Sequence, residues 1–431
     1  MGRAAAGAVA ALRPNAGGDP GSPAGARRAH RRDPRRAGAG DLHRSPGALT
    51  LQRTIFDDVH DDFRESVRRF LVKEAVPHTE DWEAAGAVDR AFWKKAAAQG
   101  LVGFAAPEDL GGAGLSDFRF NAVLDEEIAY TGAVGDYLNL LNDIIAPYLL
   151  DLTTAEQRER WLPGVTAGET ICAIAMSEPG AGSDLRGMSS TARRQDGHYL
   201  VSGSKTFVTS GITADLVIVA AYVKGEENVD GLGLFVVEKD MPGFSKGRKL
   251  DKVGHRGQDT AELFFDDVRV PLENVLGEPG RGLHHLMRNL PQERLSMAVY
   301  AVAAAERALE ITLEYVRTRN AFGKPIGSFQ ANRFALAELA TEVNVARVFI
   351  DRCIAAHSAG ELSDVEAAGA KFWTTELQFR VMDRCVQLHG GYGYMEEYEI
   401  ARMWRDARVT RIYGGTTEIM KEIVGRSLGL R

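Results

Sequence analysis

Cysteine is scarce in this chain, with only Cys172, Cys353 and Cys385 among 431 residues. Their odd number and wide separation exclude both the CxxC pairs of a zinc site and the disulfide framework of a small secreted domain, and they fit a reducing compartment. Long apolar runs are missing too. A membrane-spanning helix needs about 20 mostly apolar residues, and the nearest candidate, Leu216 to Val223, is much shorter. No integral membrane association is expected. Nor does one sign of charge dominate: 52 basic against 59 acidic side chains leave a formal net charge of -7. That balance offers no broad basic field for nucleic acid or an anionic membrane. Any site for a phosphorylated ligand must be local.

What the chain does have is apolar content, 45% of residues, enough to build two or three domains with their own cores. Residues 1–50 stand apart. They carry nine arginines against three acids, no aromatic residue, and many Ala, Gly and Pro, so they are expected to form a disordered extension. An Arg-rich, acid-poor segment suits a mitochondrial transit peptide, which would place the protein in the mitochondrial matrix. The Gly and Pro density works against an amphipathic helix, and the preferred reading is an upstream extension of a bacterial, cytoplasmic protein.

From Phe56 the apolar residues Phe56, Val59, Phe63, Val67 and Phe70 recur at helical spacing. Helical patterns run on to about Ala167, giving an N-terminal helical domain over 51–170. Between 171 and 280 the pattern changes. Tyr199 to Thr209, Leu216 to Val223, Leu232 to Val237 and Ala261 to Val270 are β-rich, with turns at Asp196-Gly197 and Pro242-Gly243. Helical spacing returns over 281–431 through Ser296 to Val316, Asn332 to Ala356 and Val365 to Leu388, and Pro291 is expected to kink the first of these helices. There is no internal repeat at solenoid spacing.

Five short motifs could carry chemistry, and each has an ordinary structural reading. The loop Met176 to Asp184 holds Pro179, Gly180 and Gly182 among hydroxyls and carboxylates; such glycines let backbone N–H groups approach a ligand, or simply make a tight turn. Gln387 to Tyr394, with Gly390, Gly391 and Gly393, reads as a helix C-cap. His389 within it has no partner at metal-ligand spacing, and no metal is expected. Ile412 to Ile419 reads as a helix N-terminus capped by Thr, whose free N–H groups could meet an anion or carbonyl. Arg319 to Ile326, followed by Gln330, reads as a basic and aromatic connection between helices. Leu290 to Leu295 sets Glu293 and Arg294 beside a proline, either as an exposed ion pair or as reactive groups in an apolar helix.

Taken together, in this order on a helices, strands, helices chain, the motifs resemble the acyl-CoA dehydrogenase family over residues 54–428, and its long-chain members most. The resemblance lies in LPQERL (290–295), GRKLDKVGHRGQDTAELFFDDVRVP (247–271), CVQLHGGYGYMEEY (385–398) and RIYGGTTEIMKEI (411–423). It implies an α+β, mainly α fold: an N-terminal α-helical domain, a central β-barrel-like domain and a C-terminal helical bundle. It also implies FAD, an acyl-CoA substrate oxidised to trans-2-enoyl-CoA in fatty acid β-oxidation, electron-transfer flavoprotein as acceptor, and a homotetramer.

By the same resemblance Ile174, Met176, Ser177, Gly182 and Ser183 line the FAD, with Ser183 also near CoA. Phe207, Val208 and Thr209 back the ring system, Phe207 standing where many relatives carry Trp. Arg319, Gln330, Gln387, Leu388, His389, Gly390 and Gly391 match positions that reach the FAD of a neighbouring subunit. Thr416, Thr417 and Glu418 match a FAD-contacting segment at the chain end. Pro291, Gln292, Arg294, Gly414 and Gly415 match substrate contacts, the Gly414 N–H holding the thioester oxygen. Most members carry their catalytic glutamate directly after the tyrosine, where this chain has Gly414. Its long-chain and isovaleryl members place that base on the proline-containing helix, at the position of Glu293. A carboxylate there would remove the α proton while flavin accepts hydride from the β carbon. A flavin oxidase or monooxygenase on the same fold, and a non-catalytic flavin- or acyl-CoA-binding protein, are the alternatives.

Overall fold

The computed structural model describes residues 51–133 and 136–430, so the expected disorder of residues 1–50 concerns a segment outside the described residues. The helical spacing read from Phe56 becomes α1 (Asp58–Glu74), which buries Phe63, Val67, Phe70 and Leu71 on one face. Short helices α2 (Thr79–Ala85) and α3 (Arg90–Ala98) lead to α4 (Phe118–Thr131). The Asp117 carboxylate starts α4 by accepting the Arg119 N–H at 3.0 Å. The next helical stretch, α5, is α-helical over Asp136–Asn139, π-helical over Leu140–Ile145 and α-helical over Ala146–Asp151. Its π turn had no signal in the sequence. Helix α6 (Ala155–Thr166) completes this part.

Strands follow in the order β1 (Cys172–Ala175), β2 (Thr191–Gln195), β3 (His198–Thr209), β4 (Leu216–Lys224), β5 (Leu232–Glu238), β6 (Phe244–Lys249), β7 (Thr260–Pro271) and β8 (Val275–Leu276). They form one sheet ordered β6-β7-β3-β2-β4-β5-β8, with β1 pairing on β4. The four β-rich runs seen in the sequence are β3, β4, β5 and β7. The other strands are short or polar: β2 is TARRQ and β6 is FSKGRK, too weakly apolar to stand out. β4 reads as a continuous apolar run because both its faces are covered. Leu216, Ile218 and Ala220 pack with the N-terminal helices, while Val217, Val219, Ala221 and Val223 pack into the core of the β domain. That second core also takes side chains from β1, β2, β3, β5 and β7, so the sheet curls round it as a barrel would.

The C-terminal part consists of α7 (Gly282–Thr318), the short hairpin of β9 (Asn320–Ala321) and β10 (Lys324–Pro325), α8 (Gln330–Ser358), α9 (Asp364–His389), α10 (Glu399–Ala407) and α11 (Thr417–Ser427). Helix α7 continues through Pro291 from Gly282 to Thr318. Helices α4, α7, α8 and α9 share one apolar core. A buried charge seam ties this bundle to the N-terminal helices: Glu126 on α4 meets Arg53, Arg64 and Arg347, and Arg347 also meets Glu306. Among the described residues no helix is long and apolar enough to cross a membrane.

Removing one member of this seam takes charge-assisted hydrogen bonds away from the others. Arg347→Ala takes from Glu126 one of its three arginines and from Glu306 a charged partner, and is expected to cost about 1.5 to 3 kcal/mol, read as a lower denaturant midpoint than that of the unmodified chain.

Candidate active site

Helix α7 presents the first of three clusters. Pro291 contributes no backbone N–H, and two residues on, Glu293 is only 3% exposed, with Arg294 at 4%. These two are not the exposed ion pair that local sequence allows. The Glu293 carboxylate accepts a hydrogen bond from the Tyr148 hydroxyl on α5, at 2.9 Å from Oε1. Burial pushes the Glu293 carboxyl up to about 7, against the opposing effects of Tyr148 and Arg294. Burial, reinforced by the Glu293 charge, lifts the Tyr148 phenol above its ordinary range, so it stays a donor.

The residues around Glu293 are fixed in turn. Gln292 donates to the Asp143 main-chain carbonyl at 2.8 Å, and Ser296 Oγ donates to Asp143 Oδ2 at 2.5 Å. Met297, one turn beyond Glu293 and on the same face, reaches Gly414. A Cβ on Gly414 would lie 2.3 Å from the Met297 Sδ and Cε, and the residue has a φ of +62°. The left-handed backbone favours glycine there, while the close contact falls on the flexible tip of Met297, which can swing aside. Gly415 follows, its carbonyl accepting from Lys371 Nζ of α9 at 2.7 Å. Lys371 is wholly buried, and burial, then the nearby Arg294, pushes its ammonium down to about 7. Arg294 pairs with Asp364 through Nη1, while its buried Nε has no partner among the described residues. Half-buried Pro291, Gln292, Gly414 and Gly415 thus share one cluster with Glu293 and Arg294.

The second cluster is the loop after β1. Ile174, Met176 and Ser177 are half-buried, and Gly182 and Ser183 are exposed. Glu178 and Ala181 exchange backbone hydrogen bonds of 2.8 and 3.1 Å, closing the tight turn. The Glu178 carboxylate accepts from Lys205 Nζ at 2.8 Å and from the Ser189 and Ser190 N–H groups. Burial acts to raise its proton affinity, but these bonds outweigh it and hold the carboxyl at about 2. Lys205 also donates to the Met176 carbonyl at 3.0 Å, and the Thr206 N–H to that of Ser177 at 2.9 Å. The loop is thereby fixed beside Phe207, an aromatic residue at a φ of 57° and 71% exposed. Val208 is buried and Thr209 half-buried.

The third cluster is a cleft of about 450 Å³ that gathers Arg319 with Gln387, Leu388, His389, Gly390 and Gly391. The Arg319 guanidinium lies over the Tyr392 ring at 5.4 Å. His389 stacks on Tyr315 with ring centres 4.3 Å apart, its Nδ1 2.9 Å from the Cys385 carbonyl. Gln330, exposed at the start of α8, is not among the residues lining the cleft. Thr416 caps α11 by accepting the Ile419 N–H at 3.3 Å, Thr417 donates to Glu376 at 2.9 Å, and Glu418 is exposed in the first turn. Both glycine motifs are the helix ends that their sequences predict.

Tyr148, Asp143 and Lys371 escaped the sequence reading. Lys371 carried a usable signal, a lone cation among the small residues of α9. Tyr148 in APYLL carried none, because it meets Glu293 only through the packing of α5 on α7.

The sign of the Glu293 effect can be measured. A carboxyl whose proton affinity is raised in the folded state stabilises the fold fully below its unfolded value, and that contribution is lost as pH rises from 4.5 through about 7. The loss is about 3 kcal/mol. Glu293→Gln is therefore expected to be the more stable protein at about pH 8, by up to about 3 kcal/mol. The difference should disappear below about pH 4, as followed by thermal melts of both proteins across pH.

Comparison with known proteins gives matches to three consecutive domains: Acyl-CoA dehydrogenase, N-terminal domain over residues 57–169, middle domain over 173–268, and C-terminal domain over 280–429. The mitochondrial long-chain specific acyl-CoA dehydrogenase of Rattus norvegicus is 49% identical over 378 residues, covering 87% of this chain and 88% of its own. The mitochondrial isovaleryl-CoA dehydrogenase of Oryza sativa subsp. japonica is 36% identical over 377 residues, 87% of this chain and 92% of its own. Among solved structures, acyl-CoA dehydrogenase from Geobacillus kaustophilus superposes with a TM-score of 0.85 at 48% identity, covering 88% of this chain and 100% of that one. Butyryl-CoA dehydrogenase from Megasphaera elsdenii gives 0.82 at 33% identity, with coverage of 88% and 100%.

Proposed function

From the premise that this chain belongs to the acyl-CoA dehydrogenase family and is an acyl-CoA dehydrogenase, we propose that it is FAD-dependent. Its reaction is the oxidation of a long-chain acyl-CoA to the trans-2-enoyl-CoA in fatty acid β-oxidation, with Glu293 as the base. The observation that carries this reading is the pairing of a buried, Tyr148-held carboxyl at Glu293 with a glycine at 414 whose side-chain space Met297 fills.

FAD suits the other two clusters. The Met176 to Ser183 loop is fixed by Lys205 and Glu178 next to the exposed ring of Phe207, a flat apolar surface for a ring system. A cofactor pyrophosphate finds a forked cation in Arg319, at a cleft lined by Gln387 to Gly391. When bound, FAD supplies the acceptor for the hydride of the β carbon. In the proposed homotetramer that cleft serves the FAD of a neighbouring subunit, so each site needs two chains. Thr416, Thr417 and Glu418 add contacts at the chain end. Electron-transfer flavoprotein then takes the electrons.

The remaining steps belong to this chain's own side chains. Glu293 removes the α proton of the thioester, and its raised proton affinity near neutral pH suits a base. The Gly414 N–H donates to the thioester oxygen, where charge develops as the proton leaves. Pro291, Gln292, Arg294 and Gly415 frame the substrate around it. The long-chain preference rests on similarity to the long-chain specific relatives.

Glu293→Gln is expected to purify with its flavin and to lose turnover by about 100- to 10,000-fold. In the unmodified enzyme, activity should rise with pH through about 7 as the carboxylate forms. Anaerobic bleaching of the flavin by a panel of acyl-CoAs, with oxygen uptake measured afterwards, tests substrate and acceptor together. Native bleaching by Glu293→Gln would remove Glu293 from the mechanism, and fast oxygen uptake would make the enzyme an oxidase.

A further inference from the structure

We propose that Asp143 is a positioning residue for Glu293: with Asp125 it forms a buried carboxyl pair that shares one proton and braces the turn of α7 carrying the base. The inference rests on the reading of Glu293 as that base. Asp143 lies in the π-helical turn Leu140–Ile145, a kind of turn common at functional sites. Its Oδ1 accepts from Asn121 Nδ2 at 2.5 Å, its Oδ2 from Ser296 Oγ at 2.5 Å, and its main-chain carbonyl from Gln292 Nε2 at 2.8 Å. Gln292 and Ser296 stand one residue before and three after Glu293. Tyr148, five residues beyond Asp143 on the same stretch, holds the Glu293 carboxyl itself. One segment of α5 thus grips the base from both sides along α7 and at its oxygen.

Asp125, on α4, completes the brace. It is wholly buried, and neither of its carboxyl oxygens accepts a hydrogen bond from a described residue. Among the described residues, the groups facing the pair are Asn121 of α4, Asn139 of α5 and Ser296 of α7, together with each carboxyl itself, and none of these is a cation. Two carboxylates side by side without a cation cannot both ionise. Burial raises the proton affinity of both, and the Asp143 charge raises that of Asp125 further. Asp143 accepts from two donors, which favours its ionised form, so the proton stays on Asp125. Its O–H then donates to Asp143, which gives one of the two buried oxygens of Asp125 a partner. The neutral acid costs far less to bury than a second charge would.

The experiment compares Asp143→Asn, Ser296→Ala, Asp125→Ala and Asp125→Asn in the FAD-loaded enzyme. Asp143→Asn turns an NH2 group toward one of its two donors, and the expected result is a fall in kcat of about 10- to 100-fold. KM should change little, and the activity limb near pH 7 should move. Ser296→Ala, which keeps both carboxyls, should shift the same limb by less. Asp125→Ala should lower kcat, and Asp125→Asn, which restores a neutral donor to Asp143, should recover most of it. Independently of activity, the infrared spectrum at about pH 9, where Glu293 is ionised, should contain the carbonyl stretch of a protonated carboxyl that Asp125→Asn removes. Absence of that band from the unmodified protein overturns the shared proton. If all four variants keep the native kcat and pH limb, Asp143 is no positioning residue, whatever their stability. Failure of the underlying reading looks different: Glu293→Gln itself would then turn over normally.

Discussion

A carboxyl group withdrawn from water must be held by something, and at Glu293 the holding is done by neighbours that are themselves buried. The Tyr148 hydroxyl reaches its oxygen, Gln292 and Ser296 anchor the adjacent backbone to Asp143, and Met297 closes the space toward Gly414. Taking the acid out of water is what raises its proton affinity to about 7. The arrangement spends folding stability on a group tuned to accept a proton near neutral pH.

Backbone conformation is the first reason the chain end carries glycine. Gly414 has a left-handed φ and abuts the Met297 thioether, so no side chain at that point fits without displacing Met297. Met297 and Glu293 are one helical turn apart on α7, which makes the acid on the helix and the empty place at the terminal loop two faces of one packing decision. Lys371 stabilises that decision from behind by holding the Gly415 carbonyl.

Buried charge recurs at the other junctions of the molecule. Glu178 and Lys205 fix the loop between β1 and β2 against β3, and Glu126, Glu306 and Arg347 join α4, α7 and α8. Such pairs contribute little net stability, since desolvation offsets most of their attraction. What they do provide is a single allowed arrangement, because any other leaves a charge unpaired in the interior. The loop beside Phe207 is held in this way, while the turn around Glu293 is held by hydrogen bonds from Tyr148, Gln292 and Ser296.

Periodicity alone set out the order of the fold. Helical spacing marked α1 and the long helices α7, α8 and α9, and apolar runs marked β3, β4, β5 and β7, because each buries a continuous apolar stripe or face. The polar strands β2 and β6 and the π turn in α5 left no such mark, since pairing partners and tertiary contacts form them. The motifs named Glu293 and the glycine at 414, and local sequence even supplied the Thr416 cap and the end of α9 at Gly390. Local sequence could not decide whether Glu293 and Arg294 were an exposed ion pair or buried groups with different partners. That outcome belongs to three dimensions: Tyr148, Asp143, Asp364 and Lys371 come from separate stretches of chain. Only the packing of α5 and α9 against α7 brings them within hydrogen-bonding distance and excludes the water that would otherwise leave Glu293 an ordinary surface acid.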